Sequence, residues 1–89
     1  MPISQTLSAL ADKNRRRIID LLKKKDRSVG EMGDKLPITG PTLSHHLDTL
    51  KRAGLVSSRR EGQQIIYSLN LSSIEEAAEK IMDILDQKK

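Results

Sequence analysis

"TLSHHLDTLKRAGLV", residues 42–56, carries Leu43, Leu47 and Leu50 at i, i+4 and i+7 and closes on Gly54. That spacing puts the three leucines on one face of a helix. Thr39 supplies an N-cap, Pro41 falls in the first turn, where a missing N–H costs nothing, and Gly54 supplies the stop. Two adjacent histidines, His45 and His46, sit in the middle of the stretch. Neighbouring residues on a helix point about 100° apart, so the pair cannot chelate one ion. With the leucines facing inward, Pro41, Thr42, Ser44, His45 and Asp48 lie on the other faces, the early ones near the N-terminal end. His46 lies beside the leucine face, where a half-buried packing role is expected.

Upstream, Ile3 to Leu10 reads as a short helix with Ile3, Leu7, Leu10 and Ala11 apolar. Asp12 caps a second helix, "KNRRRIIDLLKKK", whose Ile18, Ile19, Leu21 and Leu22 face inward. Its lysines gather at the C-terminal end, where the helix dipole favours cations. "SVGE" is a capping box that opens a third helix at Ser28, with Glu31 three residues on. Val29, Met32 and Leu36 point inward, and Pro37 ends the helix. Downstream, "LVSSR" and "QIIYSLN" are β segments flanking "REGQ", with Glu61-Gly62 marking the turn. Ile65, Tyr67 and Leu69 alternate onto one face. A second capping box, Ser72 with Glu75, opens the last helix, whose Ile74, Ala78, Ile81 and Leu85 form an apolar stripe.

The order is α-α-α-α-β-β-α, mainly helical with one β-hairpin. Three or four residues separate the third and fourth helices, which is helix-turn-helix spacing. With a hairpin after the fourth helix, the chain is predicted to be a winged helix-turn-helix. One domain is expected over residues 1–89, with the helix-turn-helix at about 28–53, the wing at about 55–69 and a dimerisation helix at about 72–87. The 89 residues contain a single aromatic side chain, Tyr67. A core this small is marginal alone, which favours a homodimer.

Net charge is +4, and residues 13–27 alone carry eight Lys/Arg and two Asp, a local +6. Clustered basicity is the electrostatic footprint of a polyanion. There is no cysteine, so disulfides and thiolate metal sites are excluded. The N-terminus lacks the pattern of a signal peptide, and no apolar run is long enough to span a bilayer. A cytoplasmic protein is expected. No nucleophile elbow, phosphate-cradling glycine loop or paired carboxylates are present, so no enzymatic activity and no cofactor are expected.

Reading of double-stranded DNA fits the fourth helix, because the start of a recognition helix reaches base edges in the major groove. Thr42, Ser44 and His45 are the side chains placed to do so, since each can donate to or accept from bases and phosphates. Arg59 and Arg60 at the hairpin tip can reach phosphates or a minor groove, and Gln63 can add a neutral hydrogen bond. Arg15 to Arg17 are either phosphate contacts or solvated charge.

"LPITGPTLSHHLDTLKRAGLVSSRREGQQIIYSLN", residues 36–70, resembles the core of ArsR-type winged-helix repressors. The resemblance rests on Ser44-His45-His46-Leu47, Ala53 to Val56, Arg60-Glu61-Gly62-Gln63 and Tyr67-Ser68-Leu69. "ALADKNRRRIIDLL", residues 9–22, is similar to a further segment of the family. The chain looks most like its small, non-metal autorepressor branch. The resemblance implies a homodimer paired through the first and last helices on an inverted-repeat operator. It also implies that Gly40, Pro41, Ser44 and His45 contact bases or phosphates. Leu7, Ile74, Ala78, Ile81 and Leu85 would form the dimer surface. The Cys-x-Cys of metal-sensing members is missing near the third helix, and the last helix has no histidine. Two other readings stand beside repression: a protein-interaction module on the same fold, and a metal-responsive repressor. The inducing effector, protein or small molecule, is not legible.

Overall fold

The computed structural model describes residues 3–86. Among them the elements run α1 (Ile3–Leu10), α2 (Lys13–Lys24), β1 (Arg27–Ser28), α3 (Val29–Lys35), α4 (Gly40–Arg52), β2 (Val56–Glu61), β3 (Gln64–Leu69) and α5 (Leu71–Asp86). Side chains set the helix starts. Asp12 Oδ1 accepts from the backbone N–H groups of Asn14 at 2.7 Å and Arg15 at 3.1 Å. Ser28 Oγ accepts from Glu31 N at 3.1 Å, and Thr39 Oγ1 from Thr42 N at 3.4 Å. These bonds satisfy donors that a helix start leaves without intrahelical partners. The carboxylate of Glu31 does not complete a reciprocal box. It turns to the Arg27 guanidinium at 2.7 Å, which together with Lys25 holds its carboxyl below the usual range.

Leu36 is extended, as the residue before a proline must be, and ends α3. Leu36 to Thr39 then turn the chain into α4. The end of α4 is a Schellman motif: Gly54 N donates to Lys51 O at 2.9 Å and Leu55 N to Leu50 O at 3.0 Å. Gly54 sits at φ 76°, a left-handed conformation that a side chain would strain. The hydrophobic contact such a motif brings is here Leu50 and Leu55, both fully buried.

Around them one core collects Ile18, Ile19, Leu22, Met32, Leu36, Leu43, Leu47, Ala53 and Val56. Each large aliphatic side chain buried this way contributes about 1.5–3 kcal/mol. The three leucines of α4 are buried together, so the predicted inward face holds.

Three predicted details differ. The hairpin is part of a three-stranded antiparallel sheet in the order β1-β3-β2. The extra strand is short, with Arg27 opposite Tyr67 and Ser28 opposite Ile66. Two residues are too few to show alternation, so the sequence reads only as the lead-in to α3. In the hairpin, Glu61 pairs with Gln64, leaving Gly62 and Gln63 as a two-residue loop one position later than read. Gly62 has φ 62°, as the first loop position of a type II′ turn requires. Lastly, α5 begins at Leu71, and Ile74 N already donates to Asn70 O at 3.2 Å. Ser72 is therefore inside the helix and not its cap. Residue 87 of the expected dimerisation helix lies outside the described residues.

The Asp12 carboxyl is held below its ordinary range, chiefly by the Arg15 backbone N–H. A carboxylate with a lowered folded-state value stabilises above its unfolded value and loses that contribution as pH falls through the folded one. Asp12→Ala is expected to cost about 1 kcal/mol in urea unfolding at neutral pH, a usual cap loss. The gap to wild type should persist above about pH 4 and close below it. A gap independent of pH would show that the carboxylate's charge contributes nothing.

Candidate nucleic-acid interface

Along α4, Leu43, His46, Leu47 and Leu50 are buried, whereas Gly40, Pro41, Thr42, Ser44, His45 and Asp48 are exposed. Helical periodicity alone makes this division, because the buried set occupies one side. Gly40, Pro41, Thr42, Ser44 and His45 thus share one open surface over the first two turns. The Thr39 hydroxyl donates to Thr42 Oγ1 at 2.9 Å, leaving the Thr42 proton free to point outward. The His45 main-chain carbonyl accepts from Thr49 Oγ1 at 3.0 Å, one turn on. The first two turns of this surface carry no Lys, Arg, Asp or Glu; the exposed Asp48 that follows pairs with Arg52 one turn on.

His46 goes further inward than its expected half-buried place, at 7% exposure. Its ring centroid lies 5.8 Å from that of His45, but one ring faces solvent and the other the protein. Among the described residues no group of three or more His, Cys, Asp or Glu is placed to hold a metal ion.

The wing flanks α4. Successive strand residues face opposite ways, so Val56, Ser58 and Arg60 share one face of β2 and Ser57, Arg59 and Glu61 the other. Lys51 Nζ donates to Ser58 Oγ at 2.9 Å, which identifies the first face as the one toward α4. Arg60 is exposed there, its Nε donating to Gly62 O at 3.3 Å. Arg59 faces away and is occupied. It donates to Glu61 Oε2 at 2.7 Å, Asp26 Oδ2 at 2.9 Å and Ser68 Oγ at 3.0 Å. The two carboxylates, Glu61 foremost, raise the Arg59 guanidinium above its ordinary value, and Arg59 lowers the Asp26 carboxyl. The two predicted wing arginines are therefore not equivalent.

Between α3, α4 and the wing runs an open groove of about 430 Å³. Ser28, Gly30, Ser44, Gln63, Ile65 and Tyr67 line it. It brings two predicted site residues, Ser44 and Gln63, to one place. Ser28, Gly30 and the exposed Ile65 are the neighbours that sequence reading missed. Nothing in their spacing points to α4; only the fold brings them there. Ile66, on the opposite face from Ile65, is the buried residue of the pair. Burial, and then the nearby Asp48, raise the Tyr67 phenol.

Three arginines of the basic tract are committed to the fold, while Lys13, Arg17 and Lys23 to Lys25 are exposed. Arg15 donates to the Ala9 and Ser8 carbonyls, and Arg16 to those of Leu10 and Ala11. Together they cap the end of α1, where cations also suit the helix dipole. Arg27 is buried, donating to Leu21 O and Glu31.

Of the predicted dimer surface, Leu7 and Ala78 are exposed, Ile74 and Ile81 partly buried, and Leu85 is 55% exposed. Thr6 and Ala77 are buried where α1 meets α5. Leu71 and Met82, 60% and 56% exposed, extend the same flank of α5. They complete a 3-4-4-3 spacing with Ile74, Ala78 and Leu85. The misplaced cap left Leu71 outside the predicted helix; Met82 was discoverable by widening the stripe. No helix among the described residues is long and apolar enough to cross a membrane.

A family model described as a helix-turn-helix domain matches residues 10–59. The chain is 34% identical over 85 residues to the transcriptional repressor SdpR of Bacillus subtilis (strain 168), covering 96% of this chain and 94% of that protein. It is 37% identical to the transcriptional activator HlyU of Vibrio cholerae serotype O1, covering 76% of this chain. There it spans only 63% of the relative's length. An ArsR-like transcriptional regulator from Rhodococcus sp. RHA1 superposes with a TM-score of 0.86 at 26% identity, over 96% of this chain and 80% of that one. A possible transcriptional regulator for arsenical resistance superposes at 0.81 with 27% identity, over 88% and 81%. A helix with a buried leucine face and an open start, a wing beside it and these likenesses agree: the chain belongs to the ArsR family of winged helix-turn-helix, DNA-binding transcription regulators.

Proposed function

We propose that the chain is a repressor that binds an inverted-repeat operator as a homodimer and blocks transcription by occupying the promoter. The observation that carries this reading is the outward presentation of Thr42, Ser44 and His45 on a helix whose opposite face is locked in the core. Those side chains read base edges, and Gly40 and Pro41 let the backbone approach the duplex. Arg60 and Gln63 reach the flanking backbone from the wing, while Arg59 braces the wing against Asp26. A two-fold dimer through α1 and α5 would bury Leu7, Leu71, Ala78, Met82 and Leu85 and set the reading helices one DNA turn apart, about 34 Å. Repression, in preference to activation, follows the relative that matches over 96% of this chain, which is named a repressor. The neutral start of α4 leaves phosphate neutralisation to the wing and to lysines elsewhere, so specificity rests on hydrogen bonds.

In vitro selection from random duplexes tests this reading: a palindromic motif is expected, with half-sites one turn apart. A selection that enriches no motif would favour a protein-interaction module. On the selected site, Ser44→Ala and His45→Ala are each expected to reduce discrimination against single base changes by about 1–3 kcal/mol. Equal loss on random DNA would remove their reading role.

Arg60→Ala is expected to weaken binding to all sequences alike and to lower the slope of log affinity against log salt by about one. Arg59→Ala should leave that slope unchanged, because its charge is already paired. Matching slopes for the two variants would place both on phosphates. Leu85→Glu is expected to yield monomers in sedimentation and to lose affinity for the full palindrome by at least about 100-fold, since the second half-site no longer adds to the first. A dimeric Leu85→Glu protein would place the interface elsewhere.

A further inference from the structure

DNA reading uses His45 and leaves His46 unexplained, although His46 has a specific polar setting inside the protein. Its Nδ1 lies 3.2 Å from an Arg15 guanidinium nitrogen, and its Nε2 lies 3.8 Å from Asp12 Oδ1. Arg15 is fixed in turn, with Nε donating to Ala9 O at 2.6 Å and Nη2 to Ser8 O at 3.1 Å. Asp12 is fixed by the N–H groups it caps. The end of α1, the start of α2 and the middle of α4 therefore meet at one imidazole.

The chemistry of that contact fixes the ring's state. A guanidinium has donors only, so Nδ1 must present a lone pair to Arg15. The ring's single hydrogen then sits on Nε2, toward Asp12.

We infer that Arg15 is a positioning residue for the reading helix: through the His46 ring it holds the middle of α4 on the α1–α2 corner, and tight DNA binding requires that contact. The inference rests on α4 being the helix that reads DNA. The charged and titratable groups facing His46 are Arg15 and Asp12 from α2 and His45 beside it on α4. From α1 come the Ser8 and Ala9 carbonyls, both accepting from Arg15.

The test follows binding of the full chain to a selected duplex by fluorescence anisotropy at about pH 8. His46→Leu keeps a buried side chain of similar bulk but removes the acceptor, and is expected to bind about tenfold more weakly. His46→Asn keeps an acceptor near the Nδ1 position and should restore most of that loss. Arg15→Lys keeps the charge but loses the fork, and should bind about tenfold more weakly at pH 8 with its circular dichroism spectrum retained. A His46→Leu or Arg15→Lys chain that binds like wild type, or a His46→Asn chain that binds no better than His46→Leu, overturns the inference alone. Failure of the wild-type chain to bind any duplex removes the DNA reading and this inference with it. Independently of DNA and of any variant, a long-range ¹H–¹⁵N spectrum at pH 8 should show His46 protonated on Nε2; a proton on Nδ1 overturns the inference.

Discussion

The rotation of α4 about its own axis is the constraint on which the rest of the molecule depends. Burial of Leu43, Leu47 and Leu50 in one core with Ile18, Met32 and Leu55 sets that rotation. A turn of one residue, about 100°, would bring Ser44 and Asp48 into the core and Leu43 out of it. The apolar cost of that rearrangement is several side chains, each worth about 1.5–3 kcal/mol. Packing alone thus decides which groups a partner meets. The polar contact at His46 adds direction, because hydrogen bonds specify an orientation and hydrophobic burial does not.

The ends of α4 fix the remaining freedom. At the start, the Thr39 cap and Pro41 define where the first turn begins. At the other end, the Schellman turn at Gly54 reverses the chain and delivers Leu55 and Val56 straight into the core. The wing therefore leaves from a fixed point, and its register with β3 follows from a two-residue loop. A wing of this kind has one face committed to α4 and the other to a charged cluster on the body. Arg59 belongs to the second face although it neighbours Arg60 in the chain.

Much of this was legible before any coordinates. The leucine spacing, the caps at Asp12, Ser28 and Thr39, and the glycine stop are local signals, and local signals survive folding. What was not legible depends on partners distant in sequence or on strands too short for a pattern. β1 exists only because β3 is there to pair with it. The charge tract at residues 13–27 keeps Lys13, Arg17 and Lys23 to Lys25 exposed, but Arg15, Arg16 and Arg27 spend donors on carbonyls and one carboxylate. Counting charges cannot see carbonyls. The two histidines separate correctly by helix geometry, yet the depth of His46 needed Arg15 and Asp12 to explain it. Ser72 and Glu75 have the spacing of a capping box, but the sheet ends at Leu69 and Asn70 already accepts the first helical bond.

Asn70 has a mechanical consequence. Its backbone N–H reaches Leu55 O at 2.9 Å, its amide donates to Gly54 O at 2.9 Å, and its Oδ1 accepts from Ser57 Oγ at 3.1 Å. Its own carbonyl starts α5. One residue therefore clasps the exit of α4, the root of the wing and the base of the last helix. Through these bonds α5 is tied at its base to the reading head, as a lever arm is. In the proposed dimer, any change in how two α5 helices cross would swing both wings and both reading helices together, and the spacing between half-sites would change with the crossing angle.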